Sequence, residues 1–166
     1  MSDRNKLIFI IVILGPCVLL SYYIAAQFNT KGIDALWGNI PEHIKVYYPI
    51  GMLVATIGFF PFTYLTVFKS SNPRQYILPY LLVLIPSILW MPMTVSYIND
   101  SNEFIWLCIR IVLLLVAIGA ILIYMRMKVE FKADKSTVYL FALIGILGFI
   151  GHTLLLDGLL WPYYFK

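Results

Sequence analysis

Three ionisable side chains lie inside long apolar runs of this chain, and they are where chemistry would be done. Arg110 sits in run 104–124, and His152 and Asp157 sit in run 138–161. A charge near the middle of a bilayer costs at least about 2.5–3.5 kcal/mol, so such residues pair, line a wet cavity or meet a ligand. A short loop joins the two runs, which predicts antiparallel neighbours. Arg110 is six residues beyond Phe104, about 9 Å deep at helical rise, and Asp157 is four residues short of Trp161, about 6 Å from the same end. Opposite charges at similar depth predict an Arg110–Asp157 ion pair. The simpler alternative has Arg110 snorkelling to headgroups and Asp157 facing interfacial water.

His152 precedes Asp157 by five residues, which on an α-helix rotates the side chain by about 140° and puts the two on different faces. It lies instead above Gly145 and Gly148, where small residues admit a neighbouring backbone. His152 is therefore expected to point into the bundle or into a subunit interface. There it either satisfies a backbone carbonyl or a tyrosine, or it contacts a ligand and carries a proton. His43 lies in a loop, so haem ligation by two histidines is not expected. Cys17 and Cys108 form no C-x-x-C pair and read as structural thiols. No metal-ligating cluster or standard catalytic motif is present.

The elements that must position these residues are five apolar runs, 7–28, 46–68, 76–98, 104–124 and 138–161. Each reaches the roughly 20 helical residues that cross a hydrocarbon core about 30 Å thick. Hydrophobic residues make up 61% of the 166 and charged residues 12%, which leaves nothing for a soluble domain. The fold class is therefore all-α: a polytopic integral membrane protein, one bundle of five transmembrane helices over residues 1–166. The net charge of +4 is no nucleic-acid footprint, because the basic residues sit in short loops beside the spans. Membrane lipid is the expected partner. The first run, with Arg4 and Lys6 before it, is about twice the length of a signal-peptide core and reads as a retained span.

Basic residues set the orientation. Arg4, Lys6, Lys69, Arg74, Arg126, Lys128, Lys132 and Lys135 fall on one face, against Lys31, Lys45 and Lys166 on the other. The positive-inside rule then puts the N-terminus in the cytoplasm and the C-terminus outside. On this topology Trp37, Trp90, Trp106 and Trp161 all fall near the outer face. Interfacial belts usually occupy both faces, so a one-sided set points equally well to indoles lining an outward cavity. Pro79, Pro86 and Pro92 recur about every two turns of the third run and are expected to kink it and open space beside it. Loop 29–45 is the long connection; it reads as a surface loop, with a lid as the sharper alternative.

Five spans, a long first loop and tryptophan-rich ends resemble the translocator protein family, also called tryptophan-rich sensory proteins. Leu89-Trp90-Met91-Pro92 is similar to that family's Trp-x-Pro segment. Asp157-Gly158-Leu159-Leu160-Trp161 is similar to its Asn-x-x-x-Trp ending, and Trp37 and Pro41 occupy a comparable loop. The chain departs from the pattern at Tyr47-Tyr48-Pro49, where paired prolines and a tryptophan are expected, and in its inverted orientation. The resemblance implies a hydrophobic ligand held among the helices.

Together these readings favour a membrane protein that binds a hydrophobic small molecule, a sterol, tetrapyrrole or lipid, in the outer half of the bundle. Trp90, Trp106, Arg110, His152 and Asp157 would line the site, with aromatic walls supplying apolar area and a few polar groups fixing orientation. One alternative is an accessory subunit of a larger membrane complex or a homo-oligomer, joined through the Gly145, Gly148 and Gly151 stripe. Another is a small lipid or isoprenoid isomerase using His152 with Asp157 or Glu42 as acid and base.

Overall fold

The structure, a computed structural model, describes residues 1–29 and 31–165. Thr30 and Lys166 lie outside the described residues, and with Lys166 goes one of the three basic residues counted on the sparser face. Among the described residues, five helices are long and apolar enough to cross a membrane: α1 (Asp3–Phe28), α2 (Glu42–Lys69), α3 (Arg74–Asp100), α4 (Glu103–Glu130) and α5 (Thr137–Phe165). Each contains the apolar run expected and extends it into polar flanks. The extensions follow from capping: Ser2 Oγ accepts from Asn5 N–H, Asn102 Oδ1 from Phe104 N–H, and Ser136 Oγ from Tyr139 N–H. α3 runs unbroken through Pro79, Pro86 and Pro92.

Neighbours in space are not neighbours in sequence throughout. α1 packs on α3, α3 on α4, α4 on α5 and α5 on α2, while α1 meets α2 chiefly where Leu65–Lys69 ends. The α2–α5 seam is the tightest. A Cβ on Gly58 would lie 2.6 Å from the Gly145 carbonyl oxygen, and one on Gly148 would lie 2.6 Å from a Val54 methyl. The part of the glycine stripe at Gly145 and Gly148, read from the sequence as a surface for a partner subunit, is thus filled within the chain. Between these backbones Phe59, Phe62, Tyr80 and Phe149 form the central aromatic core. The Tyr80 hydroxyl inside it is bonded to Thr63 and Thr66, both at 2.9 Å. Outward faces are apolar over their length, as at Phe9, Leu19, Phe60 and Leu114, which suits lipid as the surrounding solvent.

The two ends of the bundle differ in chemistry. At the end carrying the N-terminus, here the basic end, the Arg4 guanidinium donates to the Ser70 carbonyl at 3.2 Å. At the other, the tryptophan end, Trp37, Trp90, Trp106 and Trp161 gather with Tyr48, Tyr97 and Phe165.

Candidate functional site

The site is built on a departure from the α-helix in α5. Over Gly151–Leu160 the backbone is π-helical, with hydrogen bonds between residues five apart, and this wider turn swings side chains five apart much closer in azimuth than an α-helix does. The Trp161 N–H accordingly bonds the Leu156 carbonyl. This change of period brings His152 and Asp157 onto one face: His152 Nε2 stands 3.3 Å from Asp157 Oδ2, with both side chains more than nine-tenths buried. The separation by face expected from α-helical geometry is corrected accordingly. Tyr48 from α2 also uses this turn, its hydroxyl donating to the Leu156 carbonyl at 3.1 Å.

Arg110 does not reach this pair. The inward stripe of α4 is Trp106, Ile109, Leu113 and Val116, spaced three and four residues apart, which turns Arg110 to the exposed face. The expected Arg110–Asp157 ion pair is therefore not formed, and Asp157 stands instead beside the His152 imidazole. Matching depth was a sound expectation; azimuth decided against it.

In front of the pair is a cavity of about 130 Å³. Its walls come from α1 (Tyr22), α2 (Tyr48, Met52), α3 (Trp90, Met91, Thr94) and α5 (His152, Asp157, Trp161), and its roof from Leu36 and Trp37. The rings meet nearly at right angles: Tyr22 on Trp90 at 77°, Trp90 on Trp161 at 88°, Trp37 on Tyr48 at 74°, with centroids 5.5–6.0 Å apart. Two buried polar atoms of lining residues have no hydrogen-bond partner among the described residues, Trp90 Nε1 and His152 Nδ1. Native interiors leave few such groups, and each costs about 1–3 kcal/mol. His152 Nδ1 is pressed against α2, where a Cβ on Gly51 would lie 2.6 Å from it.

Leu36 and Trp37 of the first loop cover one side of the cavity, and residues 31–39 are tied to the helices around it. Residues Ile33–Trp37 form a 3₁₀ turn, and the Leu36 carbonyl accepts the Trp161 indole N–H at 2.9 Å. Asn39 N–H donates to the Tyr164 carbonyl at 3.1 Å, and Lys31 Nζ donates to the Ile98 carbonyl. Gly38 has φ +54° and abuts Phe165 so closely that a Cβ would meet its backbone at 2.7 Å. Glycine alone suits both the left-handed backbone and that approach.

Of the residues singled out from the sequence, Trp90, His152 and Asp157 line the cavity. Trp106 stands one layer back, buried, with its ring 5.8 Å from that of Trp161. Arg110 is elsewhere. Tyr22, Met52, Met91 and Thr94 were not foreseen, because one apolar or weakly polar residue among many in a span carries no signal of its own. Cys17 and Cys108 are free thiols, and no group of three metal-ligating side chains occurs among the described residues. No family model matches the sequence, and neither a curated protein nor a solved structure is significantly similar to it.

Proposed function

We propose that the chain is an integral membrane protein that binds an apolar or amphipathic small molecule in the cavity at the tryptophan end. The basic residues put that end outside, with the N-terminus cytoplasmic. The observation that carries the reading is a ring-walled cavity, one of whose lining residues keeps a buried donor unpartnered, Trp90 Nε1. Indole N–H is a donor only, so a ligand with an oxygen acceptor would satisfy it. Size narrows the class. A cavity of about 150 Å³ admits benzene, and drug-sized ligands occupy roughly 300–1,000 Å³. At about 130 Å³ the site suits a lipid or other amphipath entering by a compact head better than a whole sterol or tetrapyrrole.

The test is thermal unfolding of the purified full chain against a panel of lipids and small amphipaths. A ligand at one hundred times its Kd stabilises by about 2.7 kcal/mol. We expect such a rise in Tm for at least one class, reduced in Trp90→Ala and His152→Ala. No rise, or a rise indifferent to both residues, overturns the reading.

A second reading is supported by the π-helical turn. By bringing His152 to 3.3 Å from Asp157 it supplies the proton donor and acceptor that a membrane isomerase needs. Turnover of an unsaturated lipid by wild type and not by His152→Gln would favour it.

A further inference from the structure

Resting on the binding reading above, we propose that the head admitted to this cavity is an alkanolammonium group, the choline or ethanolamine type, its nitrogen held against Asp157 inside the box of rings.

The argument begins from charge. Asp157 is 5% exposed, and among the described residues the cavity has no lysine or arginine in its lining. Its neighbour is the His152 imidazole, with Nε2 3.3 Å from Oδ2. That imidazole has nothing to accept a proton placed on Nδ1, which lies against Gly51. The tautomer that fits its surroundings carries one proton, on Nε2 and facing the carboxylate. A neutral imidazole orients Asp157 without matching a charge on it, and a carboxyl buried this deeply holds a negative charge only with a cation beside it. A ligand cation provides one.

The walls fit the same group. Cations are attracted to the faces of tryptophan and tyrosine rings, and cages of such rings recognise alkylated ammonium. Trp37, Tyr48, Trp90 and Trp161 stand around the cavity in near-perpendicular pairs. A benzene-sized volume holds a trimethylammonium or ammonium group with a two-carbon arm. The remaining demand is the unpartnered Trp90 N–H, a donor. In an alkanolammonium an oxygen stands two carbons from the nitrogen, so one small group can meet a carboxylate and an indole N–H together. A simple amine meets only the first, and a fatty acid only the second.

The probe is radiolabelled choline in equilibrium dialysis against the full chain in phosphatidylglycerol nanodiscs, with the neutral isostere 3,3-dimethylbutan-1-ol as competitor. We expect saturable binding at one site per chain, with the isostere at least tenfold weaker. Asp157→Asn should raise the Kd at least tenfold, and Trp90→Phe, which keeps the ring and loses the N–H, about threefold. Repeating the dialysis in phosphatidylcholine nanodiscs separates two sources of the group. Choline binding abolished there identifies the lipid headgroup, and binding retained identifies the free solute. An isostere that competes within twofold of choline, or an Asp157→Asn chain that binds choline as wild type does, overturns the cation claim while leaving apolar binding intact. Failure of choline to bind, with no enrichment of phosphatidylcholine over phosphatidylglycerol on the purified chain, also overturns it. The thermal panel then decides separately whether the cavity binds anything else.

Discussion

The two ends of this bundle each hold a carboxylate near a tyrosine, and they treat it in opposite ways. At the basic end Glu130 closes α4, and the turn between α2 and α3 is folded around it. Ser70 Oγ donates at 2.8 Å, Ser71 N–H at 2.7 Å, Ser71 Oγ at 2.9 Å, Gln75 Nε2 at 2.7 Å and the Tyr76 hydroxyl at 2.8 Å. Nothing is left for a ligand to add. At the tryptophan end Asp157 has an imidazole at 3.3 Å beside a cavity, and two lining residues have unmatched polar atoms. A satisfied carboxylate ties a loop to a helix, whereas one with a single polar neighbour beside a cavity is what the proposed binding function requires. The contrast matters more than either burial, since a buried carboxylate alone does not tell a joint from a receptor.

That contrast can be broken by mutation, and the largest effect belongs to the joint. Glu130→Ala strips the acceptor from six donating groups, the Asn72 N–H at 3.4 Å and the fully buried Tyr76 hydroxyl among them, and should lower stability by about 2–3 kcal/mol, read as a fall in Tm in mild detergent. Ligand binding at the far end should persist. Equal stability of the two proteins would show that the hydrogen bonds to Glu130 do not hold the α2–α3 turn to α4. Next in size is Gly51→Ala. Its methyl would press on the His152 ring, and overpacking of this kind costs about 1–2 kcal/mol; the informative readout is the His152 NMR environment, which should move.

The third test reverses the sign. Replacing both His152 and Asp157 by leucine removes an unmatched pair from an apolar setting, and such swaps leave stability unchanged or raise it by about 1 kcal/mol. Tm should hold or rise while ligand-dependent stabilisation disappears. A loss as large as that of Glu130→Ala would make the pair structural and erase the difference between the ends. The smallest effect is Trp90→Phe. With no hydrogen bond to lose, stability should change by less than about 1 kcal/mol in unliganded protein, although binding weakens.

Much of the architecture was legible because it follows from composition along one dimension. Apolar runs near 20 residues separated by polar, cap-forming residues such as Ser2, Asn102 and Ser136 leave little choice but helices of membrane-crossing length. The clustering of the four tryptophans at one end was legible too, since depth along a helix is sequence position multiplied by rise. Pairing was not. Depth placed Arg110 level with Asp157, but which way a side chain faces depends on helical period and on which helices touch.

The amino-acid sequence by itself determined the class of the molecule, the helices, their lengths and the residues that share an end, because lipid-like apolarity and caps act locally. Tertiary structure alone decided that α5 would take a π-helical turn, that Gly51 and Tyr48 of α2 would meet it there, and that His152 rather than Arg110 would stand beside Asp157. A π turn is held by i→i+5 hydrogen bonds that few sequences signal, and here the Leu156 carbonyl that accepts the Trp161 N–H also accepts the Tyr48 hydroxyl, which ties the turn to α2.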